Sequence, residues 1–456
     1  MQGNRTVVGW LSLNRSAVGF WVVTLAIFVI VQVGISLGAI NDFWKTILLS
    51  GCAMVIMSLG LNLIYGFNGQ FSLGQYAFYA IGAYSSADIT FRWAKGDASG
   101  LIVSLATLLL AGALMLLAAR VIRQFGVGDV AASAASQRLP VGSAPAPNSG
   151  GHEAVSPAAT FALYLLATVV GAVVAVMVVS PLLSSPVAAL LKSLPAGVAE
   201  HIVFFLAIIC GGGMAALASF VFGLPVLTLG SDYFGIATLG FTVIVKVLLD
   251  NSDTMLGFAE MKGARGMVGI PKLTTWVWAF FFLLAVIVIM RNMLHSSTGR
   301  AVVAVREDEV AAKAMGIDVA GYKILAFVVG STFAGIAGGL FAHNLAFLHP
   351  NTFNFIQSFN PLIIVVFGGL GSMTGTIFAG FAWGLVLEGV LRVYLPQGFE
   401  TWRFVIYPVI LLVMMLLRPQ GLFGNFEVPF LRQAPFSPRQ PAAAPPALPV
   451  AEQASQ

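Results

Sequence analysis

Polar side chains are concentrated in one glycine-rich apolar stretch, GLNLIYGFNGQFSLGQYAFYAIGAY, which covers residues 60–84. Amides and hydroxyls are costly at membrane depth unless they face a partner helix or a wet cavity, and transporters line such cavities with glycine-interrupted helices. The stretch is therefore a candidate translocation path for a polar solute. For any single residue, hydrogen bonding between packed helices is an equally good interpretation. The candidate path residues are Asn62, Asn68, Gln70, Ser72 and Gln75.

A charged stretch, LHSSTGRAVVAVREDEVAAKAMGIDVAGY, lies at residues 294–322 between two apolar segments. The hydroxyl residues at 296–298 can begin a helix, and Gly316 can end it in a left-handed conformation. Acidic residues complement the positive end of a helix dipole, and Glu309 and Lys313 lie one turn apart. The stretch therefore predicts one compact helix.

The predicted helix carries a small apolar face. Such a face either lies on lipid, as in an interfacial helix, or enters a groove on a cytoplasmic partner. From these residues alone, the lipid interpretation is favoured. The choice between lipid and a protein partner depends on the rest of the chain. The face consists of Val310, Ala311, Ala314 and Met315.

The sequence contains no constellation that is typical of an enzyme. No GxxxxGK[ST] phosphate-binding loop occurs, so the chain has no usual cradle for ATP. His295 and His343 are isolated, and Cys52 and Cys210 lie inside apolar runs. Histidines, cysteines and carboxylates do not cluster at a metal-ligand or catalytic spacing, so we assign no catalytic and no metal-binding residue.

The composition indicates an all-α, polytopic helical membrane protein. Of the 456 residues, 58% are hydrophobic and only 9% are charged, which is too apolar for a soluble protein of this size. Runs of about 20 apolar residues predict about nine to twelve membrane crossings, with possible re-entrant segments near Gly74 and Pro361. The net charge of +5 is spread among loops without a basic cluster. Lipid is therefore an expected partner and nucleic acid is not.

Changes in composition divide the chain into six segments. A Pro, Ala, Ser and Gly-rich stretch is typical of a flexible linker, and the Pro and Ala-rich end is expected to be disordered from about residue 432. Between two apolar runs, Pro225 and Gly230 are expected to break a helix, and Ser231 or Asp232 can cap the next one. The segments are N-terminal transmembrane helices (1–123), a hydrophilic linker (124–158), central transmembrane helices (159–293), the charged stretch (294–322), C-terminal transmembrane helices (323–417) and a cytoplasmic tail (418–456).

Charge placement predicts the orientation in the membrane. If the N-terminus is cytoplasmic and each run crosses once, Arg120, Arg123, Arg138, the charged stretch and the C-terminus all lie in the cytoplasm. Most arginines then follow the positive-inside rule. The loop that contains Lys262 and Arg265 falls on the opposite, external side.

The chain resembles the LivM-type permease subunits of branched-chain amino-acid ABC importers. The similarity rests on the two segments above and on GLPVLTLGSDYFGIATLGF, VVFGGLGSMTGTIFAG and RPQGLFG, which occur in the expected order along most of the chain. The resemblance implies that residues 299–318 form a coupling loop that docks on an ABC ATPase. The implied coupling residues are Gly299, Arg300, Arg306, Glu307, Asp308, Glu309, Ala311, Ala312, Met315 and Gly316.

The resemblance also implies a function, a location and partners. The chain would be the permease subunit of an importer in the bacterial inner membrane, with ABC ATPase subunits, a second homologous permease and a periplasmic substrate-binding protein. ATP and Mg²⁺ would bind the ATPase, and this chain would hold no cofactor. Substrates within the family include branched-chain amino acids, other amino acids, urea or amides, and aromatic acids.

One turn departs from the expected family pattern, and two acids are relevant to an alternative function. The turn MKGARG replaces a TGGPNG-like turn, and we hypothesise that its Lys262 and Arg265 contact the binding protein. An ATP-independent secondary transporter or channel is the alternative function. It would require embedded ion-coupling acids, for which Asp232 and Glu388 are the chief candidates.

Overall fold

The computed structural model describes residues 4–124, 157–227, 231–254 and 260–390, with short pieces between 409 and 431. Within these residues, nine helices are long and apolar enough to cross a membrane, and one two-stranded sheet has strands of two residues each. The protein is therefore an all-α polytopic membrane protein, and this confirms the predicted fold class. Nearly all of the predicted linker and most of the predicted tail lie outside the described residues.

The helices follow one another with short connections. Two π-helical turns, Asn62–Phe67 and Trp383–Val390, continue α2 and α14, and a third, Ala175–Val179, joins α5 to α6. The helices are α1 (Asn4–Ser36), α2 (Asp42–Leu61), α3 (Gln75–Ala94), α4 (Ser99–Gln124), α5 (Pro157–Val174), α6 (Ser180–Lys192), α7 (Ala196–Leu227), α8 (Ser231–Asp250), α9 (Trp276–His295), α10 (Ser297–Glu307), α11 (Glu309–Ala314), α12 (Val319–Leu345), α13 (Phe359–Gly368) and α14 (Met373–Ala382).

The core of the protein is built around α12, which packs against α2, α3 and α7. Glycines allow these backbones to approach closely, as small residues do in membrane helix pairs. A Cβ added at Gly338 would overlap the carbonyl oxygen of Tyr79, and one added at Gly82 would overlap the backbone of Gly335. The α3 helix therefore lies directly against α12 along their length.

Pro225, one of the two residues predicted to break a helix, lies inside one. Pro225 is inside α7, which continues to Leu227, and the next described helix begins at Ser231. A proline kinks a membrane helix without ending it when neighbouring helices satisfy the freed backbone groups. Pro225 therefore does not break this helix, Gly230 lies outside the described residues, and the predicted cap at Ser231 or Asp232 stays a prediction.

One end of the bundle, called here the strand end, is defined by β1 (Met267–Val268) and β2 (Phe347–Leu348). The two strands are antiparallel, with Met267 opposite Leu348. Arg92, near the end of α3, forms ion pairs with Asp88 at 3.0 Å and with Glu260 at 2.6 Å. This network attaches the loop before β1 to the core.

The opposite end, called here the loop end, is defined by α10 and α11. The end of α2, the turn between α13 and α14 and the described pieces of chain between residues 420 and 431 also lie there. Glu427 accepts hydrogen bonds from the backbone N–H groups of Met373 and Thr374 at the start of α14. Because a carboxylate is stabilised at a helix N-terminus, this contact attaches the chain after residue 417 to the bundle.

Candidate functional site

The charged stretch forms two short helices at the loop end, not the single helix that we predicted. Ser296 caps α10 by accepting the N–H of Gly299 at 3.2 Å, and Gly316 follows α11 with a φ of 81°, as predicted. Between the helices, Asp308 has an extended backbone and accepts the N–H groups of Val310 at 2.8 Å and Ala311 at 3.0 Å. Asp308 therefore caps a second helix, because its side chain satisfies donors that a helix start leaves unpaired.

The predicted apolar face is open at the tip of this loop. Val310 is 80% exposed and Met315 is 82% exposed, and Ala311 and Ala314 are exposed beside them. Large apolar side chains with this exposure are expected where a protein binds a partner or a membrane. The other predicted coupling residues that are exposed are Arg300, Arg306, Glu307, Asp308, Glu309 and Gly316.

Two predicted coupling residues, Gly299 and Ala312, are buried against the chain itself. A Cβ added at Gly299 would overlap the backbone of Met293 and Leu294, so this glycine lets α10 fold back onto the end of α9. Their positions suit packing of the loop, since neither residue is open to a partner.

The loop is attached to the bundle by charged side chains. Glu309 forms an ion pair with Lys323 of α12 and not with Lys313, which lies one turn along from it. Asp318 caps α12 through the N–H of Gly321 at 3.1 Å. Arg306 points away from the exposed face and donates a hydrogen bond from Nη1 to the carbonyl oxygen of Gly66. The loop therefore contacts α12 and the end of α2 at the same time.

The five predicted path residues lie where α2 ends and α3 begins. Asn62 is in the π-helical turn, Gln75 begins α3, and all five side chains are buried, with exposed fractions of 4% or less. Two threonines of α8 hold the backbone between them: Leu73 N–H donates to Thr238 Oγ1 at 3.0 Å, and Thr242 Oγ1 donates to the oxygen of Leu73 at 3.3 Å. Our sequence analysis missed both threonines.

Asn62 has a full set of partners. Its Nδ2 donates to the oxygen of Ser372 and to Thr376 Oγ1, both at 2.9 Å. Its Oδ1 accepts the N–H of Gly371, also at 2.9 Å. Asn62 therefore joins the end of α2 to the turn before α14, which is the interhelical hydrogen bonding that we considered as the alternative to a path.

The side chains of Asn68, Gln70 and Gln75 are different. Both polar atoms of each amide are buried, and none of these six atoms has a hydrogen-bond partner among the described residues. Buried amides almost always have partners in native proteins, so three neighbouring exceptions indicate a place where water, a polar ligand or another conformation supplies them. Ser72 is also buried, and its Oγ accepts the N–H of Gly74 at 3.3 Å.

Lys262 and Arg265 lie at the strand end, where both side chains are exposed. Neither forms an ion pair with another residue in the described part of the chain. Lys262 has a φ of 54°, and Arg265 ends the short 3₁₀ turn Gly263–Arg265 that leads into β1. The two cations are therefore held on a shaped turn, with their side chains exposed.

Of the two candidate ion-coupling acids of the alternative function, the structure describes only one side chain. Glu388 is half-buried in the turn after α14, and the side chain of Asp232 lies outside the described residues. In the described part of the chain, histidine, cysteine and acidic residues do not form a group of three that could hold a metal ion.

Comparison with known proteins identifies the family. The sequence model of the family described as "Branched-chain amino acid transport system / permease component" matches residues 154–414. The chain belongs to this permease family. The matched range contains the charged stretch and the Lys262–Arg265 turn, and it begins after the candidate path residues.

Members of the permease family align with about half of the chain. It is 34% identical over 245 residues to the high-affinity branched-chain amino acid transport system permease protein LivM of Escherichia coli (strain K12), covering 46% of this chain and 55% of that protein. It is 26% identical over 241 residues to the probable LivM of Methanocaldococcus jannaschii, covering 48% and 68%. The permease protein LivH of Escherichia coli (strain K12) is 29% identical over 180 residues, covering 40% and 55%.

The chain thus spans about half the length of the LivM protein of Escherichia coli that it matches. No solved structure matches the chain at a significant level.

Proposed function

We propose that the chain is the permease subunit of an ABC importer that moves branched-chain or related amino acids across the inner membrane. A separate ABC ATPase supplies the energy and binds ATP and Mg²⁺, and this chain holds no cofactor. A second homologous permease completes the path, and a periplasmic substrate-binding protein delivers the solute. The family and its LivM and LivH members support this proposal.

The observation that carries the proposal is the exposed tip of the coupling loop. Val310 and Met315 present apolar side chains on short helices that caps and ion pairs hold in place. A rigid helical loop with an apolar tip suits helix-in-groove docking on a protein. Burial of each side chain would contribute about 1.5–3 kcal/mol to such a contact. We therefore favour docking over the interfacial helix on lipid.

The coupling loop also supports the orientation, because an ABC ATPase is cytoplasmic. The loop end and both termini then face the cytoplasm, and the strand end faces the periplasm, where Lys262 and Arg265 can contact the binding protein. The positive-inside rule adds little, because lysines and arginines occur at both ends of the described residues in similar numbers. Those at the loop end are Arg5, Arg15, Arg120, Arg123, Arg291, Arg300, Arg306, Lys313, Lys323 and Arg418, and those at the strand end are Lys45, Arg92, Lys95, Lys192, Lys246, Lys262, Arg265 and Lys272.

The substrate class fits the chemistry of the buried amides. Asn68, Gln70 and Gln75 offer donors and acceptors without a net charge. Such groups can bind both ends of a zwitterion, whereas a path for anions or cations would be expected to carry opposite charges. An amino acid with an apolar side chain is therefore a suitable solute.

Purification of the tagged chain from its native membrane in mild detergent, followed by mass spectrometry, tests the proposal. The native chain should bring an ABC ATPase and a second permease with it. The variant Val310→Asp with Met315→Gln should recover at least about tenfold less ATPase, since it removes two apolar contacts. An acid in the first turn of α11 and a glutamine at its end preserve the helix.

Val268→Asp is the matched control, because Val268 is a half-exposed valine at the strand end. It should leave ATPase recovery unchanged. If the native chain is recovered without an ATPase, from a preparation in which other membrane complexes survive, the importer proposal is wrong. The ATP-independent alternative would then be favoured.

A further inference from the structure

Arg306 connects the coupling loop to the interior of the bundle. It lies in the last turn of α10, and its side chain is only 38% exposed although it belongs to a cytoplasmic loop. Its Nη1 donates to the carbonyl oxygen of Gly66, and its Cβ and Cγ lie against Gly69. The guanidinium is therefore turned toward the end of α2 and away from Val310 and Met315.

The position of Arg306 depends on close approach at three glycines, Gly66, Gly69 and Gly371. A Cβ added at Gly371 would lie 3.0 Å from Nη1 of Arg306, and one at Gly69 would lie 3.3 Å from its Cγ. Gly69 has a φ of 77° and Gly371 a φ of 80°, which an L residue rarely adopts. These turns receive the arginine side chain, and the N–H of Gly371 is bound in turn by Asn62.

The backbone that Arg306 holds leads directly to the amides without partners. Gly66 and Gly69 lie beside Asn68 and Gln70, and Thr238 and Thr242 hold the chain near Leu73 at the other side. The segment is thus attached at both ends and contains unsatisfied polar groups between the attachments. A buried polar group without a hydrogen-bond partner is unfavourable. A second conformation, in which the amides contact water or solute, relieves this cost.

Space for such a movement exists beside the guanidinium. A cavity of about 240 Å³ at the loop end is lined by Phe67, Val303, Arg306, Gly371 and Glu427. Packed interiors resist continuous deformation, so a displacement of α10 requires a rigid contact to reach the path and free volume to accept the movement. Arg306 supplies the contact, and the cavity supplies the volume.

We propose that Arg306 is a positioning residue for transport. It carries the displacement of the coupling loop to residues 66–75 and so determines whether Asn68, Gln70 and Gln75 face the path. This inference rests on the proposed importer function, in which an ATPase moves the loop. In this inference Arg306 acts on the interior of the bundle, although the sequence analysis placed it among the predicted ATPase contacts.

The accessibility of a single cysteine can report this movement. The native Cys52 and Cys210 are fully buried, so Gln70→Cys provides a reporter with low background. Labelling by N-ethylmaleimide is measured in the purified importer without nucleotide and after trapping with ATP and vanadate. With the native Arg306, the labelling rate should differ about tenfold between the two states, the size of a typical coupling between sites.

Arg306→Ala in the same background should remove this difference while the ATPase still co-purifies and hydrolyses ATP. Transport per ATP hydrolysed should fall by about the same factor. Arg306→Lys keeps a positively charged donor that can reach the oxygen of Gly66. It should therefore restore part of the labelling difference and part of the transport per ATP hydrolysed. Arg418→Ala is the matched control, since Arg418 is exposed at the loop end and forms no ion pair with a described residue. It should behave as the native chain does.

The failures of the two proposals are distinguishable. If no ATPase co-purifies with the native chain, the importer function is wrong and this inference is wrong with it. If the ATPase is present and Arg306→Ala keeps the nucleotide-dependent labelling, only the role of Arg306 is overturned. If Arg306→Ala does not fold, Arg306→Lys decides: full native labelling and coupling would overturn the role, and a partial loss would support it.

Discussion

At the scale of single residues, the buried amides divide into two groups that the sequence does not separate. Asn62 has partners for its donor and acceptor groups, whereas the amides of Asn68, Gln70 and Gln75 have none in the described part of the chain. The difference arises from contacts such as that between Asn62 and Ser372, which are 310 positions apart. Local composition can therefore predict that amides are embedded, and only the packing shows which of them support the structure.

Replacement of Asn62 tests its supporting role. Asn62→Ala should destabilise the protein by about 1–3 kcal/mol, because it leaves the N–H of Gly371 without its buried acceptor and removes the donor to Ser372 and Thr376. The apparent melting temperature in detergent measures the change. Ser58→Ala is the control one turn earlier on α2, since the Ser58 hydroxyl is buried and has no described partner. It should be nearly neutral, and an equal loss in both variants would contradict the assignment.

At the scale of elements, the sequence predicts helices well where apolar runs are long and predicts their interruptions less well. The predicted central transmembrane segment ends at residue 293, close to the end of α9 at His295, and the predicted stop at Gly316 lies where α11 ends. The break at Asp308 was missed because an acid inside an acidic cluster is equally consistent with the first turn of one helix. Its capping role depends on a local backbone conformation that the cluster alone does not reveal.

The contact between α3 and α12 is the element-level feature most sensitive to substitution. Gly338→Ala should destabilise the bundle by about 1–3 kcal/mol, since the added methyl overlaps the carbonyl oxygen of Tyr79 and forces the helices apart. The melting temperature and the yield of monodisperse protein in detergent measure this effect. Gly112→Ala on α4 is the control, because no atom lies within 4 Å of the added Cβ. It should be neutral or slightly stabilising, and equal behaviour of the two variants would contradict close packing.

At the scale of the whole molecule, the sequence predicts the class and the order of segments, and the fold adds how the two ends are connected. The loop end contacts α2, α12 and the turn before α14 through Arg306, Glu309 and Asn62. The strand end is held by Arg92 and by pairing of β1 with β2. These contacts join segments that are distant in the chain, which is why segment boundaries alone could not predict them.

The two exposed cations of the strand end provide a test of the whole arrangement. Lys262→Gln with Arg265→Gln should slow binding-protein-dependent uptake about tenfold at low ionic strength, because surface charges steer association, and should weaken its dependence on salt. Uptake of radiolabelled amino acid into proteoliposomes, measured across a salt series, gives both quantities. Glutamine retains a Cβ at the left-handed position of Lys262, so the change reports charge and not backbone strain.

Lys95→Gln with Lys272→Gln removes the same charge from other exposed positions of the strand end. If the cations of the turn act at a specific contact, this control should leave uptake nearly unchanged, and ATPase recovery should be native in both double variants because the loop end is untouched. Equal effects of the two double variants would mean that a general surface potential is responsible. Unchanged uptake and salt dependence after Lys262→Gln with Arg265→Gln would show that the binding protein docks elsewhere.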